Sequence, residues 1–377
     1  MVGLNQNSKT TNDVARDAVA WVDDLISSAV ARNASDLHLE PTADGYEVRL
    51  RIDGLLEVVS RNDAATGRSM VTRLMVMAQL LTYRLDLPQE GRARFQSGDA
   101  IAPIELRVAV IPTTHGLRAA VRMPAELIQP KRLDDIGLPE SAMNGLRRFA
   151  ESASGMLVVT GPAGSGKTTS IYALLQYLVE RSPGLSIVAL EDPVERDLPG
   201  VTQIEVSPFG QLTYERALRS ILRQDPQVLM LGEIRDAETA TLAIQAALSG
   251  HRLICTLHAA TPGGAVARLL EMGLEPYRIT SALHGVLAQR LVRKLKSMDS
   301  LEPHYRGRVP VAEYVAINAA TRRAILAGAD AGEIQKVAAQ SEDYRSLHDC
   351  AAAMMAQGLT DEAEVIRVLG PASRASS

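Results

Sequence analysis

The chain has 377 residues, 46% of them hydrophobic and only 3% aromatic, with a formal net charge of −4. That is enough apolar surface for two or three domains packed on aliphatic side chains. The near-neutral, slightly acidic balance is not the footprint of a general nucleic-acid binder. Two distant cysteines, Cys255 and Cys350, make neither a disulfide framework nor a metal site. No stretch approaches the roughly 20 apolar residues that span a bilayer, and the polar start lacks the apolar core of a signal peptide. A cytoplasmic chain is expected, touching membrane only through partners.

Residues 1–13 read as a disordered arm, and a helix is expected from Asp13. Its Trp21, Val22, Leu25, Ile26, Ala29 and Val30 share one face, and Asn33 ends it. Tyr46–Ile52 and Ile104–Ile111 alternate apolar and polar residues as half-buried strands do. Asp53-Gly54 supplies a tight turn after the first strand, and Leu117–Met123 returns the chain after the second. Arg68–Leu85 reads as a helix between them. Together these make an α+β domain over 14–130. A proline-containing connection with a short helix at Ala142–Phe149 follows, with the boundary near Lys131.

From there, short continuous apolar runs alternate with helical segments: Gly155–Thr160, Leu185–Leu190, Val228–Leu231 and Arg252–Thr256. Such runs indicate a parallel sheet covered on both faces, over 131–300. The basic clusters Arg290–Lys296 and Arg147-Arg148 read as solvated helix faces. Residues 301–377 read as a mainly helical, alanine-rich region.

Gly161-Pro162-Ala163-Gly164-Ser165-Gly166-Lys167-Thr168 matches G-x-x-x-x-G-K-[ST], after an apolar strand and before a helix beginning at Thr169. In that setting the glycines turn backbone N–H groups toward phosphates, and the helix N-terminus adds positive potential. Lys167 reaches the β and γ phosphates, and Thr168 offers its hydroxyl to Mg²⁺. No Asn-Lys-x-Asp base-reading motif of a GTPase is present.

Two carboxylate-bearing strand ends complete the pattern. Glu191-Asp192-Pro193-Val194-Glu195 leaves the second core strand, where ligand sites of open α/β sheets lie. Glu195 is placed to poise a water for attack on the γ-phosphate, and Glu191 to hold water or metal in support. Leu229-Met230-Leu231-Gly232-Glu233 is an apolar strand ending in a carboxylate, and Glu233 is expected to hold Mg²⁺, partly through water. Gly250-His251 and Thr256-Leu257-His258 bracket another core strand, and neutral imidazoles there are candidates for sensing the γ-phosphate.

The set resembles the motor ATPases of type II secretion and type IV pilus assembly over nearly the whole chain. Ala34–Pro41, Arg51–Gly54 and Pro88–Arg92 resemble that family's N-terminal domain. The P-loop, with Ala163 where Thr is usual, is followed by segments resembling its Asp box (Glu191–Glu195), Walker B (Gly232–Ala240) and His box (Gly250–His258), and then by Gln289–Arg293. The resemblance implies a P-loop RecA-like core preceded by a smaller PAS-like α+β domain. It implies a catalytic role for Glu195, arginines at Arg107 and Arg122 that meet the nucleotide, and ATP with Mg²⁺. It further implies a homohexameric ring working against an inner-membrane platform protein and a cytoplasmic adaptor.

Lys294-Leu-Lys-Ser-Met stands where assembly members often carry a tetracysteine module, so no zinc is expected. The extra N-terminal docking domain of many assembly ATPases is expected to be missing. Thr321–Leu326 matches the retraction-motor signature poorly, whereas Gly358–Val368 reads like the assembly and secretion branch, which favours extrusion. Two other functions fit parts of the pattern. A nucleic-acid translocase on the same core is disfavoured by the modest charge, and a non-catalytic nucleotide-binding scaffold by the intact Lys167, Glu195 and Glu233.

Overall fold

A computed structural model describes residues 11–96, 103–124, 132–206, 210–296 and 305–371. The chain divides into two compact units, Met1–Gln129 and Pro130–Ser377.

The first unit begins with helix α1 (Thr11–Ala31), so residues 11–13 are helical, and residues 1–10 of the expected arm lie outside the described residues. Asn33, at φ 53°, ends the helical path in the left-handed region, as its position suggested. There follow β1 (Asp36–Thr42), β2 (Gly45–Ile52), β3 (Leu55–Asn62), helix α2 (Ala64–Met77), β4 (Gln89–Phe95), β5 (Ile104–Thr113) and β6 (Gly116–Arg122). The six strands form one antiparallel sheet in the order β3-β2-β1-β6-β5-β4. Asp53 and Gly54 both have positive φ, as the two-residue β2–β3 hairpin turn requires. Leu37, Leu39, Val48, Leu50, Leu106, Val108 and Val121 share a core with Val22, Ile26, Met70 and Leu74 of the two helices.

The helix expected over Arg68–Leu85 is shorter and starts earlier. The Asp63 carboxylate caps α2 by accepting from the N–H groups of Ala65 and Thr66. Just past its end Gln79 is left-handed at φ 58°, and the chain turns to be held by Gln89, whose amide pairs with both backbone groups of Leu81.

The second unit opens with a 3-10 turn at Leu133–Ile136 and α3 (Glu140–Glu151). The core runs β7 (Gly155–Thr160), α4 (Lys167–Arg181), β8 (Ile187–Glu191), β9 (Thr202–Glu205), α5 (Tyr214–Ile221), β10 (Val228–Leu231), α6 (Ala237–Leu248) and β11 (Arg252–Leu257). Helices α7 (Pro262–Glu271) and α8 (Pro276–Ala282) lead to β12 (Leu283–Leu295) and β13 (Tyr305–Ala316). Four helices end the unit: α9 (Ala319–Leu326), α10 (Ala331–Ala338), α11 (Leu347–Ala356) and α12 (Glu362–Leu369). The seven strands are ordered β13-β12-β7-β11-β10-β8-β9, parallel except for β13 at one edge.

Alternate residues of the central strands enter two separate cores. Val158, Leu190, Leu231 and Cys255 face one, and Leu157, Val159, Ala189 and Met230 the other. Burial on both faces is why these strands read as unbroken apolar runs.

Two expectations are corrected in this unit. Arg290–Lys296 is not a helix face: Arg290 to Leu295 belong to β12, which pairs with β7 on one side and β13 on the other. The core sheet does not end at residue 300, since β13 extends it ahead of the helices expected there. Arg147 does lie on a helix, α3, where it bonds Asp134 at 2.7 Å. Among the described residues, no helix is long and apolar enough to cross a membrane.

Candidate active site

Because β7, β8, β10 and β11 are parallel, their carboxyl ends gather at one edge of the sheet. There the chain leaves β7 for the P-loop, β8 for Asp192–Glu195, β10 for Gly232-Glu233 and β11 for His258. A cleft opens among them, lined in part by Thr168, Glu191, Glu195, Glu233 and Arg235.

The P-loop geometry depends on its glycines. Gly161 and Gly166 have φ of 147° and 88°. A Cβ at Gly161 would lie 2.5 Å from the Gln289 carbonyl oxygen, and one at Gly166 would lie 2.7 Å from the Gln289 amide nitrogen. Gln289, on β12, thus packs against both ends of the loop and accepts the Ser170 hydroxyl at 2.7 Å. Gly164 is also left-handed, while Pro162, Ala163 and Thr169 supply the remaining backbone of the turn and the first helical step. Lys167 folds back on the loop, its Nζ donating to the carbonyls of Gly161 and Pro162 at 2.8 and 2.9 Å. Burial lowers its pKa, against the opposing pull of Glu233.

Across the cleft, the Thr168 hydroxyl is 3.3 Å from Glu195 Oε1. Glu233 is bridged by Arg235, whose Nε lies 2.9 Å away and whose Nη1 reaches Asp192 at 3.3 Å. These contacts raise the pKa of Arg235, Glu233 contributing most. His258 Nε2 is 3.0 Å from the other Glu233 oxygen. The Thr256 hydroxyl holds the Gly232 carbonyl at 2.5 Å, fixing the turn that carries Glu233.

His251 does not join them. It precedes β11, at the amino end of the sheet, with its ring nitrogen 2.9 Å from the Ala246 carbonyl. Six strand residues separate it from the cleft end of β11, roughly 20 Å at strand rise. Glu191 lines the floor of the cleft but is buried, 3% exposed, and each of its oxygens accepts a hydrogen bond from a neighbouring side chain. Tyr172 donates its hydroxyl to Oε2, and the Gln203 amide donates to Oε1 at 2.8 Å. Burial pushes the Glu191 pKa up despite those hydrogen bonds.

Arg107 and Arg122 belong to the first unit, where they are cross-strand partners on β5 and β6. Arg122 pairs with Asp36 at 3.5 Å, and Asp36 also meets Arg51 at 3.3 Å.

The donors present suit a magnesium nucleotide. Ser165 carries a buried hydroxyl with no hydrogen-bond partner inside a glycine-lined turn, as a phosphate cradle would. Thr168, Glu195 and Glu233 are hard oxygen donors. Among the described residues, no group of three or more His, Cys, Asp or Glu could hold a metal ion by itself.

The model of the family described as "Type II/IV secretion system protein" matches residues 13–367. The chain belongs to that family. The type II secretion system protein HxcR of Pseudomonas aeruginosa is 37% identical over 93% of this chain and 77% of its own length. The type IV pilus assembly ATPase PilB of Thermus thermophilus is 33% identical over 93% of this chain, which spans 42% of PilB. The crystal structure of the pilus retraction motor PilT with bound ADP is similar at a TM-score of 0.64 and 25% identity. That similarity covers 92% of this chain and 96% of PilT. Members of this family are ATPases.

Tyr172, Gln203 and Tyr214 are parts of the site that the motifs did not mark. Tyr172 had a signal: it stands one helical turn after Thr168, so both project from the same side of α4. Gln203 reaches the site through strand pairing, and no local spacing reveals it; Gln289 opens the Gln289–Arg293 segment, but its packing on the P-loop shows only with β12 beside β7.

Proposed function

We propose that this chain hydrolyses Mg-ATP as the homohexameric motor of a type II secretion or type IV pilus assembly machine. It works on the cytoplasmic side of the inner membrane, against a platform protein and with a cytoplasmic adaptor, and drives extrusion rather than retraction. The observation that carries the reading is the meeting of Thr168, Glu195 and Glu233 in one cleft at the P-loop. Support for the machine comes from the secretion and pilus-assembly relatives.

In this reading the P-loop N–H groups and Lys167 hold the β and γ phosphates. Thr168 and Glu233 hold magnesium, Glu233 partly through water, and when bound the ion neutralises phosphate charge. Glu195 takes a proton from a water whose oxygen bonds to the γ-phosphorus as the bond to ADP breaks. Arg107 and Arg122 stabilise the transferring charge, a role that rests on the family resemblance. His258 reports the γ-phosphate through its contact with Glu233. No zinc and no nucleic acid take part.

The test is ATP turnover by the purified chain with and without Mg²⁺ and DNA, alongside the mass of the assembled particle. We expect magnesium-dependent turnover, indifferent to DNA, in a hexamer. DNA-stimulated turnover would move the assignment to a translocase on the same core.

A further inference from the structure

We infer that Tyr172 and Gln203 are positioning residues for Glu195, and that Glu191 is the buried anchor through which they act rather than a ligand for metal or water. The inference rests on the reading of Glu195 as the group that activates water.

The loop between β8 and β9 has no regular structure of its own. Its shape must come from side chains that capture its backbone groups. The Tyr172 hydroxyl donates to Glu191 and accepts from the Glu195 N–H at 3.3 Å. The Gln203 amide donates to Glu191 at 2.8 Å and to the Arg196 carbonyl at 2.9 Å, and accepts from the Leu198 N–H at 2.8 Å. One carboxylate therefore orients two side chains, which together grip the loop on both sides of Glu195. The buried Arg196 adds a stacking contact, its guanidinium carbon 5.4 Å from the centre of the Tyr172 ring.

A free Glu191 would be an alternative base or metal ligand. Glu191 lines the floor of the cleft and is only 3% exposed, and both of its oxygens are engaged by neutral donors. Recruiting it would break the contacts that shape the Glu195 loop. Tyr172 also rises from the P-loop helix one turn beyond Thr168. The same helix thus sets the phosphate cradle and the height of the Glu195 backbone.

Tyr172→Phe removes one hydroxyl and keeps the ring. Misplacing a reacting group by about 1 Å costs on the order of 100-fold in rate. We therefore expect kcat to fall roughly 10–100-fold, with the KM for ATP and the affinity for a non-hydrolysable ATP analogue changed less than about twofold. Gln203→Leu should behave alike. A double-mutant cycle separates positioning from general stability. In a Glu195→Gln background, Tyr172→Phe should have almost no further effect on kcat, because the group it positions is already gone.

Four results would count against the proposal. Wild-type kcat in both single variants, with slow turnover in Glu195→Gln, would overturn this inference alone. So would the full Tyr172→Phe penalty persisting in the Glu195→Gln background, or a loss of analogue binding and thermal stability in step with kcat. Wild-type turnover in Glu195→Gln would remove the base assignment itself, and this inference with it. Should Tyr172→Phe fail to fold, Gln203→Leu in the same cycle decides the question.

Discussion

The Thr168 hydroxyl lies 3.3 Å from Glu195 Oε1, so the end of the P-loop and the loop after β8 touch at one point. If Thr168 holds magnesium, Thr168→Ala removes one of its few protein oxygens. The Mg²⁺ concentration for half-maximal turnover should then rise roughly 10-fold or more, the scale on which groups around a metal site affect affinity. A magnesium titration at saturating ATP checks this, and an unchanged midpoint would remove Thr168 from the metal site.

Arg107 and Arg122 face each other across β5 and β6. Arg122 is 73% exposed at its side chain, so neither the sheet nor its core depends on that guanidinium. We expect Arg107→Ala and Arg122→Ala each to lower kcat about 10-fold or more, as loss of a charge-stabilising donor does. Melting temperatures should stay near wild type. Steady-state rates with parallel thermal melts distinguish this from unfolding, and unchanged rates in both variants would end the clamp role.

Glu364, fully buried on α12, accepts hydrogen bonds from Arg293 of β12 and from Arg367. Burial alone would raise its pKa, but the bonds from Arg367 and Arg293 outweigh it and hold the carboxyl at about 2. A carboxylate depressed in the folded state stabilises fully above its unfolded pKa, and that stability is lost as pH falls through the folded value. Glu364→Gln should therefore cost about 2 kcal/mol at pH 7, or roughly 4–8 °C in Tm for a unit of this size. The gap should close between pH 4.5 and 2. Thermal melts across that range test it, and a gap independent of pH would show that the ion triad is not its source.

Much of the cleft was legible because its parts are local. The P-loop, the strand before it and the carboxylate two residues after β10 each occupy a few consecutive positions, and continuous burial wrote β7 and β10 as apolar runs. The long strand β12 was hidden because Arg290, Arg293 and Lys294 interrupt its apolar residues. These charges are accommodated by packing that sequence spacing does not display: Arg290 donates to the Gln289 and Ala260 carbonyls, and Arg293 to Glu364. β9 is four residues long and only partly buried, so it carries little periodicity.

The two histidines show where the chemical reading went too far. Residues that bracket a strand stand at its opposite ends, so His251 and His258 could not both face one nucleotide within a single chain. Glu191 shows a complementary limit. Its place at the cleft was legible, but its burial and the donors from Tyr172 and Gln203 appear only once α4 and β9 are in place.

Glu195→Gln offers the most direct trial of the central claim, that this cleft cleaves ATP with Glu195 as the base. The substitution keeps the shape and removes the basic oxygen. We expect the variant to bind a fluorescent ATP analogue as wild type does and to hydrolyse ATP at least about 100-fold more slowly, as loss of a positioned base entails. Near wild-type hydrolysis by that protein would contradict it.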